Sequence, residues 1–147
     1  MAITSGILKT FKAQVMLAEH DLNTNTLKIG LVSSGASCSP ATGPFTYTSL
    51  VSHGGELANG NGYSTGGTTL ADVTVTNEGT SGVVDFSNVT LTDATFTARG
   101  AFIYNDSHST KSMIAYYDFG ADKSASAGNF VMTIPSATSA AAIIRLN

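Results

Sequence analysis

At 147 residues the chain has the length of one ordinary domain with a single core, and its formal net charge of −3, without clustered Lys and Arg, excludes a nucleic-acid partner. Only 12% of its residues are charged, about half the ~25% of an average soluble domain, so its polar surface is made of Ser, Thr and Gly, which suit short strands, tight turns and flat contacts. Cys38, the only cysteine, excludes an internal disulfide and a multi-cysteine zinc site and is read as a buried, idle thiol.

The first predicted element is a helix over about residues 5–20. Ser5 reads as its N-cap, and Leu8, Phe11, Val15 and Ala18 recur three and four residues apart on one stripe. That stripe either seals the domain's own core or docks on a neighbouring subunit, which makes Leu8, Phe11 and Val15 the candidate interface residues. Lys9, Lys12 and Glu19 interrupt the apolar residues here, so a secretion leader is not expected. No stretch approaches the ~20 apolar residues of a membrane span, and no membrane partner is expected.

From about residue 26 the pattern turns to β. "TLKIGLVS" alternates, with Leu27, Ile29 and Leu31 on one face and Lys28, Gly30 and Val32 on the other, as in a half-buried strand. Residues 34–67 read as loops rich in Ser, Gly and Pro, within which "FTYTSLVS" is either a short strand or a single helical turn. Then follow "TTLADVTVT", "GVVDFSNVTL", "ATFTARGAFIYN", "KSMIAYYDF", "NFVMTIP" and "AAIIRLN". About seven or eight short strands without helical crossovers predict one mainly β domain over the whole chain, an antiparallel β-sandwich or jelly-roll-like barrel with one N-terminal α-helix. The runs 102–106 and 111–119 are expected to pair as a hairpin around an exposed turn from Asn105 to Thr110, and "DFGADKSASAG" to be a loop between strands.

Candidate chemistry is sparse. "NDSHST" offers Ser107 and His108, with Asp118 further on, but a Ser-His-Asp triad needs side chains converging from separate segments, and turn-forming residues account for this stretch. His20 and His53 lack the spacing of metal ligands, so no metal or cofactor is expected. "GNGYSTGG" lacks the Lys and the following helix of a phosphate loop. A catalytic role is therefore not expected for any residue. Tyr47, Tyr63, Tyr104, Tyr116 and Tyr117 offer rings that stack on sugars if exposed, the basis of a carbohydrate-binding alternative.

Taken as a set, several segments resemble a family of small tailed-bacteriophage virion proteins. Gly62-Tyr63-Ser64-Thr65-Gly66-Gly67 up to Leu70 is similar to its G-Y-T-x-G-G-x-x-L element. Thr97 to Asp106 is similar to T-A-R-x-A-x-I-Y-N-D, and Asp118 to Phe130 to D-F-G-x-D-K-S-S-x-A-G-x-F, with Ala125 at the second small position. The resemblance runs from about residue 7 to the end; the chain departs from it in a longer Ser/Pro-rich stretch over 34–45 and in "SATSAAA" before the last strand. It implies a capsid cement or decoration protein, made in the bacterial host cytoplasm and carried on the capsid surface of the virion. Such a protein binds the major capsid protein as a homo-oligomer, typically a trimer, and performs no reaction. A tail or baseplate component is the alternative within the same resemblance.

Overall fold

The computed structural model describes residues 2–147, and its chain is mainly β. Its elements are β1 (Gly6–Ile7), α1 (Lys9–Met16), β2 (Leu27–Val32), α2 (Tyr47–Ser52), β3 (Thr68–Thr69), β4 (Thr74–Glu78), β5 (Ser81–Asp85), β6 (Val89–Asn105), β7 (Met113–Met132) and β8 (Ile144–Leu146). They form two antiparallel sheets, one of five strands in the order β1-β7-β6-β2-β3 and one of three in the order β4-β5-β8. The layered, antiparallel half of the expectation holds. The sheets keep open edges and do not close into a barrel.

Two sequence expectations need correction here, and one left open is decided. The helix over 5–20 shrinks to Lys9–Met16, because Gly6 and Ile7 pair with Tyr116 and Ala115 of β7 and Ser5 Oγ accepts from the Asp118 amide instead of capping. Leu8 occupies the N-cap with no side-chain bond, and Ala18, with φ of 59°, stops the helix one turn early. The ambiguous "FTYTSLVS" is helical: the Thr46 hydroxyl accepts from the Ser49 amide at 3.2 Å and starts α2.

The second correction concerns the segment that follows the hairpin, whose two runs pair as expected. "DFGADKSASAG" is strand, not loop, since β7 stays paired with β6 from Tyr104↔Met113 to Val89↔Met132. Gly, Ala and Ser are poor strand formers, but a partner of equal length supplies the ladder, helped by Thr97 Oγ1 against Ser124 Oγ at 2.7 Å and by the Ala127 amide donating to Thr95 Oγ1. Register shifts between Leu91 and Gly100 take up the mismatched residues as bulges.

The core lies on both faces of the middle of the larger sheet. β2 is an interior strand, between β6 and β3, and Gly30 and Val32 are buried as well as Leu27, Ile29 and Leu31. Gly30 fits only as glycine, because a Cβ there would sit 2.3 Å from the Phe102 ring. Gly67 has φ of +74°, and a Cβ on it would fall 2.2 Å from the Ile29 carbonyl, so the loop before β3 approaches β2 backbone to backbone.

Candidate functional site

The residues that sequence singled out for chemistry are dispersed. Ser107 Oγ accepts from the Thr26 amide at 2.9 Å. Asp118 accepts from Arg99 Nε at 3.2 Å and from the Gly120 amide at 2.9 Å; that amide, then Arg99, holds its carboxyl below the usual range. His108 meets neither of them. His53 Nδ1 lies 2.6 Å from the Ser49 carbonyl of its own helix.

The turn from Asn105 to Thr110 is exposed at Ser107, Ser109 and Thr110, as expected, but not at Asn105 or His108. Asn105 is fully buried and the His108 side chain is only 10% exposed, because the connection between α1 and β2 folds over them. The His20 and His108 rings stack with centroids 4.9 Å apart, and His108 Nε2 lies 3.2 Å from Glu19 Oε2. Backbone donors fix the polarity of this cluster. The Ser107 amide takes Asn105 Oδ1 and the Asp21 amide takes Asn25 Oδ1, so the Asn105 amide group donates to Asn25 and to His20 Nδ1. His20 Nδ1 is thereby an acceptor, and Nε2 donates to Gln14 Oε1 at 3.1 Å, which also receives the Ser112 hydroxyl. The neutral tautomer is built in. Burial, then the neighbouring His108, pushes the His20 pKa down against the pull of Glu19. Both nitrogens of both rings are engaged, Nδ1 of His108 by Thr110, so this cluster clasps two loops and leaves no free base beside a nucleophile.

A second polar centre escaped the sequence reading. Glu56 Oε1 accepts from the Tyr63 hydroxyl at 2.8 Å and the Gly66 amide at 2.7 Å, while Oε2 accepts from the Tyr47 hydroxyl at 2.8 Å. Tyr63 in turn accepts from the Leu31 amide, and Tyr104, stacked on Tyr47 at 4.7 Å, donates to the Gly66 carbonyl. Burial first, then the Glu56 carboxylate, pushes the Tyr63 and Tyr47 hydroxyls up, and Tyr104 is raised to about 12, so all three remain donors. The signal was available: Glu56 is the only charged residue between Lys28 and Asp72. An isolated acid in a glycine-rich stretch is placed to collect backbone and hydroxyl donors.

The candidate interface stripe is divided. Leu8 and Phe11 are wholly buried in this chain's own core and Val15 is half-buried, so the first two offer nothing to a neighbour. The tyrosine platform is withdrawn as well: Tyr63, Tyr104 and Tyr116 are buried, Tyr47 is bonded to Glu56, and Tyr117 alone, 43% exposed, faces outward. Apolar surface concentrates instead at two clefts. One, of about 420 Å³, lies over Ile29, Ile103 and Ala115 of the large sheet and under Ile134 and Ile143, with Tyr117 and Val131 beside it. The other, of about 460 Å³, lies between α1 and the three-stranded sheet. β7 also has a free edge, since β1 covers only Ala115 and Tyr116 and no described strand pairs with the outer side beyond them.

Among the described residues no three His, Cys, Asp or Glu side chains are grouped to hold a metal ion, and no helix is long and apolar enough to cross a membrane. Set against protein-family models, curated proteins and solved structures, the chain finds no match.

Proposed function

We propose that the chain is a structural protein of a tailed-bacteriophage virion, a capsid cement or decoration protein that binds and stabilises the shell of major capsid protein. The observation that carries this reading is how the side chains are allotted. Most of the acids, the imidazoles and the buried tyrosines are spent on internal bonds, whereas the surface offers two apolar clefts, a hydroxyl-rich β6–β7 ribbon and a free strand edge. Such a surface binds by contact, with little charge to desolvate. As a homo-oligomer, in the trimeric form that the resemblance implies, the protein would clamp joints between shell subunits. Many modest contacts, repeated by the symmetry of the shell, then add up against the outward push of packaged DNA.

A tail or baseplate component uses the same kinds of contact and differs in location alone. The test is a cryo-EM map of the particle with fractionation of heads and tails. Density for this fold on the outer shell, and heads that lose heat resistance when the protein is stripped, are the expected results. Its presence in purified tails and absence from heads overturns the capsid reading.

A further inference from the structure

We propose that Asn61 is a site of spontaneous covalent modification, closing on the Gly62 nitrogen to a succinimide that hydrolyses to isoaspartate and aspartate, while Asn59, in the same sequence context, is kept unreactive by the fold. The site is independent of the reading of the chain as a virion protein.

The stretch "ANGNG" holds the chain's two Asn-Gly pairs, Asn59-Gly60 and Asn61-Gly62. In such a pair the main-chain nitrogen after the asparagine attacks the carboxamide carbon. A new C–N bond forms, the carboxamide C–N bond breaks, and the proton of the attacking nitrogen leaves with the amino group as ammonia. Water then opens the five-membered ring at either carbonyl. Glycine favours the closure because no Cβ shields its nitrogen. Water is the only other reactant. By sequence the two pairs have equal standing.

The fold separates them. At Asn59 both reacting groups are occupied: Oδ1 accepts from the Thr65 amide at 3.2 Å, and the Gly60 amide donates to the Tyr63 carbonyl at 2.8 Å. Asn61 and Gly62 are instead the central residues of a tight turn, closed by that bond and by the Tyr63 amide donating to the Gly60 carbonyl at 3.0 Å, and both have positive φ, 54° and 87°. Both are exposed, and neither the Asn61 carboxamide nor the Gly62 amide is bonded to a described residue. Nucleophile and electrophile are free at one pair and tied at the other.

The product alters a contact between segments. The Asn61 carbonyl accepts from the Thr95 amide of β6 at 2.9 Å, and a Cβ on Gly62 would fall 2.7 Å from the Thr92 carbonyl oxygen and 2.8 Å from Ala94 Cα. The turn rests directly on β6. Isoaspartate routes the main chain through the former side chain, which adds a methylene, and turns the carbonyl that held Thr95 into a free carboxylate. The turn has no room for the added atom, so it lifts from β6 at this point.

The test is to hold the folded protein in warm, mildly alkaline buffer, with a second sample unfolded in urea at the same pH. Tandem mass spectrometry assigns conversion to each asparagine, and enzymatic methylation of isoaspartate counts that product. In the folded protein Asn61 is expected to convert about tenfold or more faster than Asn59, because two hydrogen bonds must open before Asn59 can react. In urea the two are expected to convert together. Hydrogen exchange at the Thr95 amide should rise in the aged protein and stay at its starting rate in Asn61→Gln, whose longer side chain closes its ring far more slowly. Equal rates at Asn59 and Asn61 in the folded protein, or no conversion of Asn61 there while the unfolded chain converts fully, overturns the proposal.

Discussion

Replacing Glu56 by Ala tests whether one carboxylate anchors the long loop region to the sheet. The substitution removes the acceptor of three donors, the Tyr47 and Tyr63 hydroxyls and the Gly66 amide, all within 2.8 Å of its oxygens. Tyr47 and Gly66 are half-buried and recover water, but the buried Tyr63 hydroxyl is left seeking a partner. At about 1–3 kcal/mol for that unsatisfied buried group and about 0.5–1.5 kcal/mol for each of the two hydrogen bonds exchanged for water, the expected loss is roughly 2–6 kcal/mol. Glu56→Gln keeps the shape and one carbonyl acceptor, and a tyrosine hydroxyl can turn to accept from the new amide, so its cost is about 1 kcal/mol. Urea denaturation followed by circular dichroism measures both, and hydrogen exchange at Gly66 and Leu31, whose amides depend on this cluster, locates the effect. A Glu56→Ala variant within about 0.5 kcal/mol of wild type, or a Gln variant as damaged as the Ala one, refutes the reasoning.

Phe11→Ala is expected to cost about 3–5 kcal/mol in the same denaturation assay, because the ring is fully buried in this chain's core. A loss below about 1 kcal/mol would mean that the pocket collapses without the ring or was never closed. Acid should weaken the clasp between the two loops: His20 is held neutral with its pKa lowered by burial and then by His108. The unfolded chain therefore takes up this proton first, so stability is full above about pH 6.5 and falls as the pH drops below it. Thermal melts of wild type against His20→Gln should show that slope in wild type alone, and equal slopes would exclude His20 as its source. Burial raises the Cys38 thiol to about 11, so a thiol reagent at mildly alkaline pH should modify it only on unfolding; rapid modification of the folded protein would contradict its placement.

Much of the β architecture was legible in the sequence, because period-two alternation is a local property of a strand with one wet face. Leu27, Ile29 and Leu31 announce β2 in this way, and the pairing of the runs 102–106 and 111–119 follows from two such runs a few residues apart. Tertiary structure decided what depends on partners distant in the chain. Burial of the second face of β2, by Tyr63 and Phe102 against Gly30, leaves no local trace in "LKIGLV". The segment "ADKSASAG" is strand only because residues about 30 positions earlier provide its ladder. His108 looks like a turn residue, and the fold half-buries it because His20 and Glu19 arrive from 88 and 89 positions away. Propensity and periodicity report on a residue and its near neighbours along the chain. Burial and hydrogen-bond closure are set by segments that meet only once the chain has folded.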